Sequence, residues 1–268
     1  MHANLKSKKI FLKNHNSFEK RDWTTIDLIG WATKYLNKNQ ISNAKLETEW
    51  LLCNILKCKR IDLYIQFEQP LMEPELAQFK SFIKRRVAGE PFQHIVGTAD
   101  FYGRDFIVDK NVLIPRPETE LIIEILKKKN KKGSYLEIGS GSGCIAITIA
   151  LEGISNNIVA TDISKKALSI ATNNADIYNI KNIDFKIHDF LKTDIYSTFD
   201  VIISNPPYIG INEVESLQVE VKKYDPKIAL TDNKDGLSFY RRFSEIGKSL
   251  LNKNGLMLLE FGGDAQVD

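Results

Sequence analysis

The chain has 268 residues, of which 43% are hydrophobic and 26% charged, and its formal net charge is +3. This composition is ordinary for a globular protein with a full core, and the small charge does not indicate a nucleic-acid partner. Cys53, Cys58 and Cys144 form no CxxC pair, so they predict neither a disulfide framework nor a zinc site. No apolar run is long enough to span a membrane and no signal peptide is visible, so we expect a cytoplasmic protein.

The N-terminal third of the chain predicts a tail followed by helices. Residues 1–20 are polar and basic, which is typical of a flexible tail. Residues 21–91 contain four segments whose apolar side chains recur at helical spacing, and these predict a small bundle. In the second segment Leu46, Trp50 and Cys53 fall on one face. No pattern of residues in this bundle indicates catalysis.

Residues 92–117 have a different pattern, in which short apolar runs alternate with glycine and asparagine. Such runs favour extended segments joined by turns, and we predict a hairpin here. Pro115 and Pro117 restrict the residues before them to extended conformations. We therefore interpret this stretch as a linker to the remaining domain, residues 118–268.

In that domain strand and helix patterns alternate. The predicted strands are Tyr135–Ile138, Ile158–Thr161, Ile183–Ile187, Val201–Ser204 and Leu256–Phe261. The predicted helices include Cys144–Leu151, Ser164–Tyr178 and Gly236–Leu251. This alternation implies right-handed crossovers and an α/β fold with a mostly parallel sheet. Ligands of such sheets bind beyond the carboxyl ends of the strands.

The first motif is the glycine-rich loop that follows the strand ending at Ile138, with glycines at 139, 141 and 143. Glycines allow a tight turn and a close approach of a ligand to the backbone. Glu137 places a negative charge beside this loop, which would repel a pyrophosphate. The loop therefore suits a ligand with a cationic end, such as S-adenosylmethionine, although a glycine-rich turn without a ligand has the same pattern.

Two further strands are followed by acidic residues. Asp162 can accept hydrogen bonds from two ribose hydroxyls, or it can cap the helix that starts near Ser164. Asp189 can accept from an adenine amino group, and Phe190 can stack on the adenine ring. The alternative for this second pair is a loop aspartate next to a core phenylalanine.

The most specific motif is Asn205-Pro206-Pro207-Tyr208, directly after a strand. Prolines donate no N–H, so the turn presents carbonyl oxygens. The oxygens of the Asn205 side chain and of Pro206 can both accept from one NH2 group, and Tyr208 offers a flat face to a planar substrate. This arrangement predicts methyl transfer to an amide or exocyclic nitrogen held at near-attack distance.

With these motifs the sequence resembles the HemK/PrmC family of protein-(glutamine-N5) methyltransferases over nearly the whole chain. The segments that carry the resemblance are Pro91–Gly97, Phe101–Gly103, Leu113–Glu120, the glycine loop, Asn205–Ile209 and Asp235–Leu237. The resemblance implies a Rossmann-like class I S-adenosylmethionine methyltransferase domain preceded by a bundle that recognises the substrate. The implied reaction is methylation of the glutamine in the Gly-Gly-Gln motif of class I peptide-chain release factors.

The resemblance also assigns roles to individual residues. The implied cofactor residues are Glu137, Gly139, Gly141, Gly143, Asp162, Asp189, Phe190 and Asn205. The implied substrate residues are Asn205, Pro206, Pro207, Tyr208, Phe101 and Glu118. Of these, Asn205, Pro206 and Tyr208 are the predicted catalytic residues, and Phe101 and Glu118 are expected to close over the site. We expect a monomer with a release factor as its partner, and no metal, membrane or direct nucleic-acid contact.

The chain departs from the family pattern at its C-terminal end. Family domains continue past the strand Leu256–Phe261 with a helix and two antiparallel strands, whereas this sequence stops at Asp268. We therefore expect missing strands and an open sheet edge. Three other functions share parts of the pattern: a ribosomal-protein glutamine N5-methyltransferase, a nucleic-acid adenine-N6 methyltransferase, and an inactive module that binds translation factors.

Overall fold

The computed structural model describes residues 22–263, so the predicted tail lies outside the described residues. The chain divides into two compact units, with the boundary between Phe92 and Gln93. The hairpin that the sequence predicts as a linker therefore belongs to the second unit.

Between residues 22 and 91 the first unit contains four helices, as the sequence predicts. They are α1 (Thr25–Lys38), α2 (Ala44–Leu56), α3 (Asp62–Ile65) and α4 (Glu73–Val87). Helix α1 begins at Thr24, whose hydroxyl accepts from the backbone N–H of Asp27 in a capping box. Its buried stripe includes Leu28, Ala32 and Leu36, and these residues form the centre of the bundle.

Helix α2 differs from the prediction based on its apolar residues. Trp50 is 44% exposed, whereas Glu47 and Glu49 are buried. The carboxylate of Glu47 receives two hydrogen bonds from Arg86 on α4, at 2.6 and 3.1 Å. Glu49 is bound by Arg60 and by the hydroxyl of Tyr64. Because both carboxylates have charged or polar partners, they can occupy the side that the sequence pattern assigns to solvent.

The second unit begins with a short helix and a hairpin. Helix α5 (Phe92–Val96) forms where the sequence predicts extended chain, and it precedes the antiparallel strands β1 (Thr98–Phe101) and β2 (Arg104–Ile107). The side chain of Asn174 accepts from the backbone N–H of Ile107 at 2.8 Å and donates to its carbonyl at 3.0 Å. These two bonds attach the hairpin to the main sheet domain.

That domain is a five-stranded sheet in the order β5-β4-β3-β6-β7, and every pair is parallel. Its strands are β3 (Ser134–Ile138), β4 (Asn157–Asp162), β5 (Ile183–Ile187), β6 (Phe199–Ser204) and β7 (Leu251–Leu259). Helix α6 (Glu120–Lys129) precedes β3, and the helices between the strands are α7 (Cys144–Leu151), α8 (Lys165–Ile177), α9 (Val219–Tyr224), α10 (Lys227–Leu230) and α11 (Ser238–Leu250). The predicted α/β class is confirmed.

The register of the central strands positions the site. Ile138 at the end of β3 pairs with Thr161 on β4 and with Ser204 on β6. The residues that follow these three strands therefore emerge side by side at one edge of the sheet. The strand order also reverses around β3, and such a point is where open α/β sheets bind ligands.

Both faces of the sheet are covered by apolar cores. One core includes Tyr135 and Val201 with most of α7, and the other includes Leu136 and Ile202 with α11. Between residues 22 and 263 the structure contains no helix that is both long and apolar enough to cross a membrane.

Candidate active site

A cavity of about 280 Å³ lies where β3, β4 and β6 end. The predicted site residues on its wall are Glu137, Gly139, Gly141, Asp162, Asp189, Phe190, Asn205, Pro206 and Pro207. The predicted site residues that are not among the described residues lining it are Gly143, Tyr208, Phe101 and Glu118. The structure thus brings predicted cofactor-binding and predicted substrate-binding residues to one cavity, while four of the predicted site residues are not among the described residues that line it.

The glycine loop has the backbone that its sequence requires. Gly139, Gly141 and Gly143 all have positive φ angles, of 78°, 54° and 80°. Gly143 packs between helices, because a Cβ there would lie 3.0 Å from side-chain atoms of both Ala171 and Ile147. Its requirement for glycine therefore comes from its positive φ and from the close packing of α7 on α8, and it is not among the described residues that line the cavity.

Glu137 is almost completely buried, with 1% of its surface exposed. Its Oε2 accepts from the backbone N–H of Ala146 at 3.1 Å, while its Oε1 is buried without a hydrogen-bond partner among the described residues. Burial and, to a smaller extent, the charge of Asp162 raise the pKa of this carboxyl group to about 8, while the hydrogen bond from Ala146 opposes the increase. A cation delivered to the cavity would pair with the free oxygen and stabilise the ionised form. The site therefore fits a ligand with an ammonium group.

Asp162 is held in place by two backbone groups. Its Oδ2 accepts from Gly141 N–H at 2.9 Å, and its Oδ1 accepts from Ser164 N–H at 2.8 Å. Helix α8 has its own cap, because the Ser164 hydroxyl accepts from the N–H of Ala167. Asp162 is thus a fixed carboxylate on the cavity wall, and each oxygen retains a second lone pair for a hydroxyl donor.

Asp189 and Phe190 also line the cavity, but their surroundings differ. Asp189 accepts from the N–H of Leu191 and pairs with Lys192 at 3.2 Å. Phe190 is buried in the core, where its ring lies 4.6 Å from that of Phe243. Phe190 therefore occupies a core position, which is the alternative that the sequence analysis gives for it.

The cavity residues that the sequence does not single out include Ile163, Thr119 and Arg116. Ile163 directly follows Asp162 and is 44% exposed, so it offers the cavity an accessible apolar surface. Thr119 and Arg116 come from the Pro-Arg-Pro-Glu-Thr-Glu run, and that run was the only signal for them. Arg116 donates to the buried carboxylate of Asp225 at 2.6 Å, which connects the two chain segments on this side of the cavity.

The turn at 205–208 follows β6 immediately. The Ser204 hydroxyl donates to the Ile138 carbonyl at 2.7 Å, which fixes the end of the strand against β3. The side-chain nitrogen of Asn205 donates to the Thr119 hydroxyl at 3.1 Å. Pro206 and Pro207 line the cavity and cannot donate. This part of the wall therefore presents hydrogen-bond acceptors.

Tyr208, the last residue of this turn, is partly buried. Burial raises the pKa of its hydroxyl, the charges of Glu260 and Glu118 add to the increase, and Arg116 opposes it. The backbone of Tyr208 is supported by Gly236, because a Cβ on that residue would lie 2.2 Å from the Tyr208 carbonyl oxygen. The backbone of the turn is thus in close contact with the loop that contains the Asp235-Gly236-Leu237 segment.

Phe101, which we expect to close over the site, is not among the described residues that line the cavity. Its side chain is fully buried in the core beside α6 and α7, and its ring packs edge-to-face on Phe106. The hairpin directs this aromatic ring inward because burying it removes a large apolar surface from water.

Among residues 22–263, no group of His, Cys, Asp and Glu side chains is placed to hold a metal ion.

Comparison with protein families matches two parts of the chain. Residues 27–97 match the PrmC N-terminal domain, and residues 117–221 match the methyltransferase small domain. A protein of Geobacter sulfurreducens named release factor glutamine methyltransferase is 39% identical over 91% of this chain and 87% of its own length.

The chain belongs to the PrmC family of methyltransferases. A Chlorobaculum tepidum protein with the same name is 36% identical over 93% of this chain and 89% of its own length. The Bacillus subtilis protein of that name is 37% identical over 89% of this chain. Both matches extend over the two units, so the relation includes the helical bundle as well as the sheet domain.

Proposed function

We propose that this PrmC-family chain transfers a methyl group from S-adenosylmethionine to the side-chain nitrogen (N5) of a glutamine, and that this glutamine lies in the Gly-Gly-Gln motif of class I release factors. The observation that carries the proposal is a single cavity with a carboxylate wall at Glu137 and Asp162 and an acceptor wall at Asn205 and Pro206. The names of the relatives support the release-factor substrate.

The carboxylate wall would hold the methyl donor. S-adenosylmethionine supplies an electrophilic methyl group on a sulfonium centre when it is bound. The free Oε1 of Glu137 would pair with its ammonium group, and Asp162 would accept from its ribose hydroxyls. Gly139 and Gly141 would allow the backbone to approach it closely. Ile163 would give its adenine an apolar contact.

The acceptor wall would hold the substrate nitrogen. An amide nitrogen is a weak nucleophile because its lone pair is delocalised into the carbonyl group. Asn205 Oδ1 and the Pro206 carbonyl would accept its two hydrogens, which fixes its position and increases its electron density. Held in this position, the nitrogen would bond to the methyl carbon as the carbon–sulfur bond breaks, and it would release its surplus proton to water. Packing of Tyr208 on the glutamine remains part of this proposal.

The first unit would bind the release factor. Its surface carries several exposed apolar side chains, and two of them, Ile61 and Ile65, lie one helical turn apart at α3 and are 62% and 69% exposed. Apolar side chains that are exposed together are typical of surfaces that bind other proteins. A substrate that works in translation also implies a cytoplasmic enzyme, and we propose that it acts as a monomer.

The test is a methyl-transfer assay with labelled S-adenosylmethionine and purified acceptors. The acceptors are a release factor, the same factor with its Gly-Gly-Gln glutamine changed to asparagine, ribosomal protein, and DNA. We expect label only in the unmodified factor, with the methyl group located on the glutamine by mass spectrometry. Label in ribosomal protein or DNA would assign one of the alternative substrates, and no label in any acceptor would contradict the proposed activity.

A further inference from the structure

We propose that Thr119 and Glu260 are positioning residues that hold the Asn205 carboxamide with its oxygen toward the cavity. The inference rests on the proposed function, because the direction of this group matters only if Asn205 receives a substrate NH2. It adds two residues that carry no reacting atom and that lie far from Asn205 in sequence.

The contacts around Asn205 form a small polar cluster. Asn205 donates to the Thr119 hydroxyl at 3.1 Å, and Thr119 is only 3% exposed. Thr119 and Asn205 also lie close enough to the Glu260 carboxyl group to lower its pKa by hydrogen bonding. The three side chains come from three different segments of the second unit, namely Pro117–Thr119, the turn after β6, and the residue after β7.

The chemistry of the three groups allows one direction of hydrogen bonding. A carboxamide has a donor end and an acceptor end of nearly equal size, so only its surroundings decide its orientation. An ionised Glu260 can only accept, and it therefore draws the NH2 end of Asn205 and the hydroxyl hydrogen of Thr119. The hydroxyl oxygen of Thr119 then accepts from Asn205. Both donor positions of the carboxamide are turned to this side, which leaves Oδ1 for the cavity.

The backbone holds Glu260 next to the turn. Its N–H donates to the Ser204 carbonyl at 3.0 Å, and its carbonyl accepts from the Tyr240 hydroxyl at 2.7 Å. Its Oε2 is buried with no hydrogen-bond partner in the part of the chain that the structure describes. The Glu260 carboxyl group is thus buried beside the turn, where Thr119 and Asn205 are the neighbours that lower its pKa by hydrogen bonding.

The charge of Glu260 depends on several neighbours. Burial raises the pKa of its carboxyl group, the charge of Glu118 raises it further, and Arg116 opposes the increase. Tyr208 and Tyr240 are the other titratable groups on which its charge acts. When Glu260 is protonated it becomes a donor, and the requirement on the carboxamide is lost. Activity should therefore fall as the pH decreases through the pKa of Glu260.

The first test compares two substitutions of one buried residue. Thr119→Val keeps the volume but removes the hydroxyl, and Thr119→Ser keeps the hydroxyl. We expect Thr119→Val to lower kcat roughly tenfold, the effect of about one lost hydrogen bond, with KM for S-adenosylmethionine unchanged. Thr119→Ser should recover most of the lost rate. Thr148→Val, at a fully buried threonine in α7, is the control for hydroxyl removal from the core.

Two outcomes of this comparison would overturn the inference. One is wild-type kcat in Thr119→Val, and the other is an equal loss of kcat and cofactor affinity in that variant. Failure of Thr119→Ser to recover any rate would also contradict it, because the hydroxyl would then not be the group that matters.

The second test does not depend on activity. In 15N-labelled protein without substrate, the side-chain NH2 signals of Asn205 can be identified by their absence from Asn205→Ala. We expect these signals to shift with pH in the wild type and to lose this titration in Glu260→Gln. Methylation of glutamine without such a titration would contradict this inference alone. The titration without methylation of any acceptor would contradict the proposed function while the positioning role stands.

Discussion

The two walls of the cavity are built in different ways. Backbone N–H groups close in sequence hold the carboxylates of Glu137 and Asp162, and they come from the helix or turn after each strand and, for Asp162, also from the preceding glycine loop. The carboxamide of Asn205 is held by Thr119, which is 86 positions away in sequence. A charged site can thus be formed by local motifs, whereas the direction of a neutral group depends on tertiary contacts.

Because the two walls are built differently, we expect substitutions in each wall to change a different quantity. Changes on the carboxylate wall should act mainly on donor binding, because those groups would contact the donor and not the reacting nitrogen. Changes on the acceptor wall should act mainly on the rate, since a hydrogen bond to the reacting nitrogen gains strength as the transition state forms.

The largest effect is expected for Asn205→Ala. Loss of the acceptor should lower kcat by roughly 100-fold or more, with little change in the Kd for S-adenosylmethionine. Steady-state kinetics and calorimetry measure the two quantities, and Asn156→Ala on the surface is the control. A similar loss of rate and affinity would show that Asn205 belongs to the donor wall.

On the other wall, Asp162→Ala should weaken the binding of S-adenosylmethionine roughly tenfold or more, because a charged acceptor is lost. The rate at saturating donor should change less than the affinity. Asp184→Ala is a suitable control, since that residue lies on β5 with an exposed side chain. Unchanged affinity would remove Asp162 from the site.

Gly236→Ala tests the support behind the acceptor wall. The new Cβ would lie 2.2 Å from the Tyr208 carbonyl oxygen, so the turn must shift, at a cost of roughly 1–3 kcal/mol in stability. We expect a lower melting temperature and a lower kcat. Gly153→Ala is the matched control, because its φ is also positive and a Cβ there would meet no heavy atom of the described residues within 4 Å. Equal effects of the two substitutions would contradict a role for the contact with Tyr208.

The smallest effect concerns the pH dependence of stability. Burial raises the pKa of Glu137 to about 8, so the folded state binds this proton more tightly than the unfolded chain does. The free energy of unfolding should therefore decrease as the pH rises from about 5 to 8. Urea unfolding of Glu137→Gln should show a weaker decrease, while the exposed Glu245→Gln should behave as the wild type. An unchanged slope in Glu137→Gln would show that this carboxyl group is ionised in the free protein.

Much of the fold could be predicted because the strands are apolar on both faces and glycine or aspartate follows them. The same pattern did not predict which face of α2 is buried. Glu47 and Glu49 are inside since Arg86 and Arg60 pair with them, and such pairing is a property of the folded bundle. The burial of Phe101 likewise results from how the hairpin packs, which residue spacing does not determine.

The functional site likewise contains residues that the sequence predicts and residues that it does not. Glu137, Asp162 and Asn205 were predicted from their positions directly at or after strand ends, where the parallel register brings them together. Thr119 and Glu260 were not predicted, because no local pattern relates them to the turn at 205–208. Their contacts with the turn exist only because three distant segments meet in the folded chain.

The most direct test of the account is a structure of the chain with S-adenosylhomocysteine and a Gly-Gly-Gln peptide. We expect the ammonium group within hydrogen-bond distance of Glu137 Oε1, and the glutamine nitrogen held by Asn205 Oδ1 and the Pro206 carbonyl. A glutamine side chain bound elsewhere, or one that meets the NH2 end of Asn205, would contradict it.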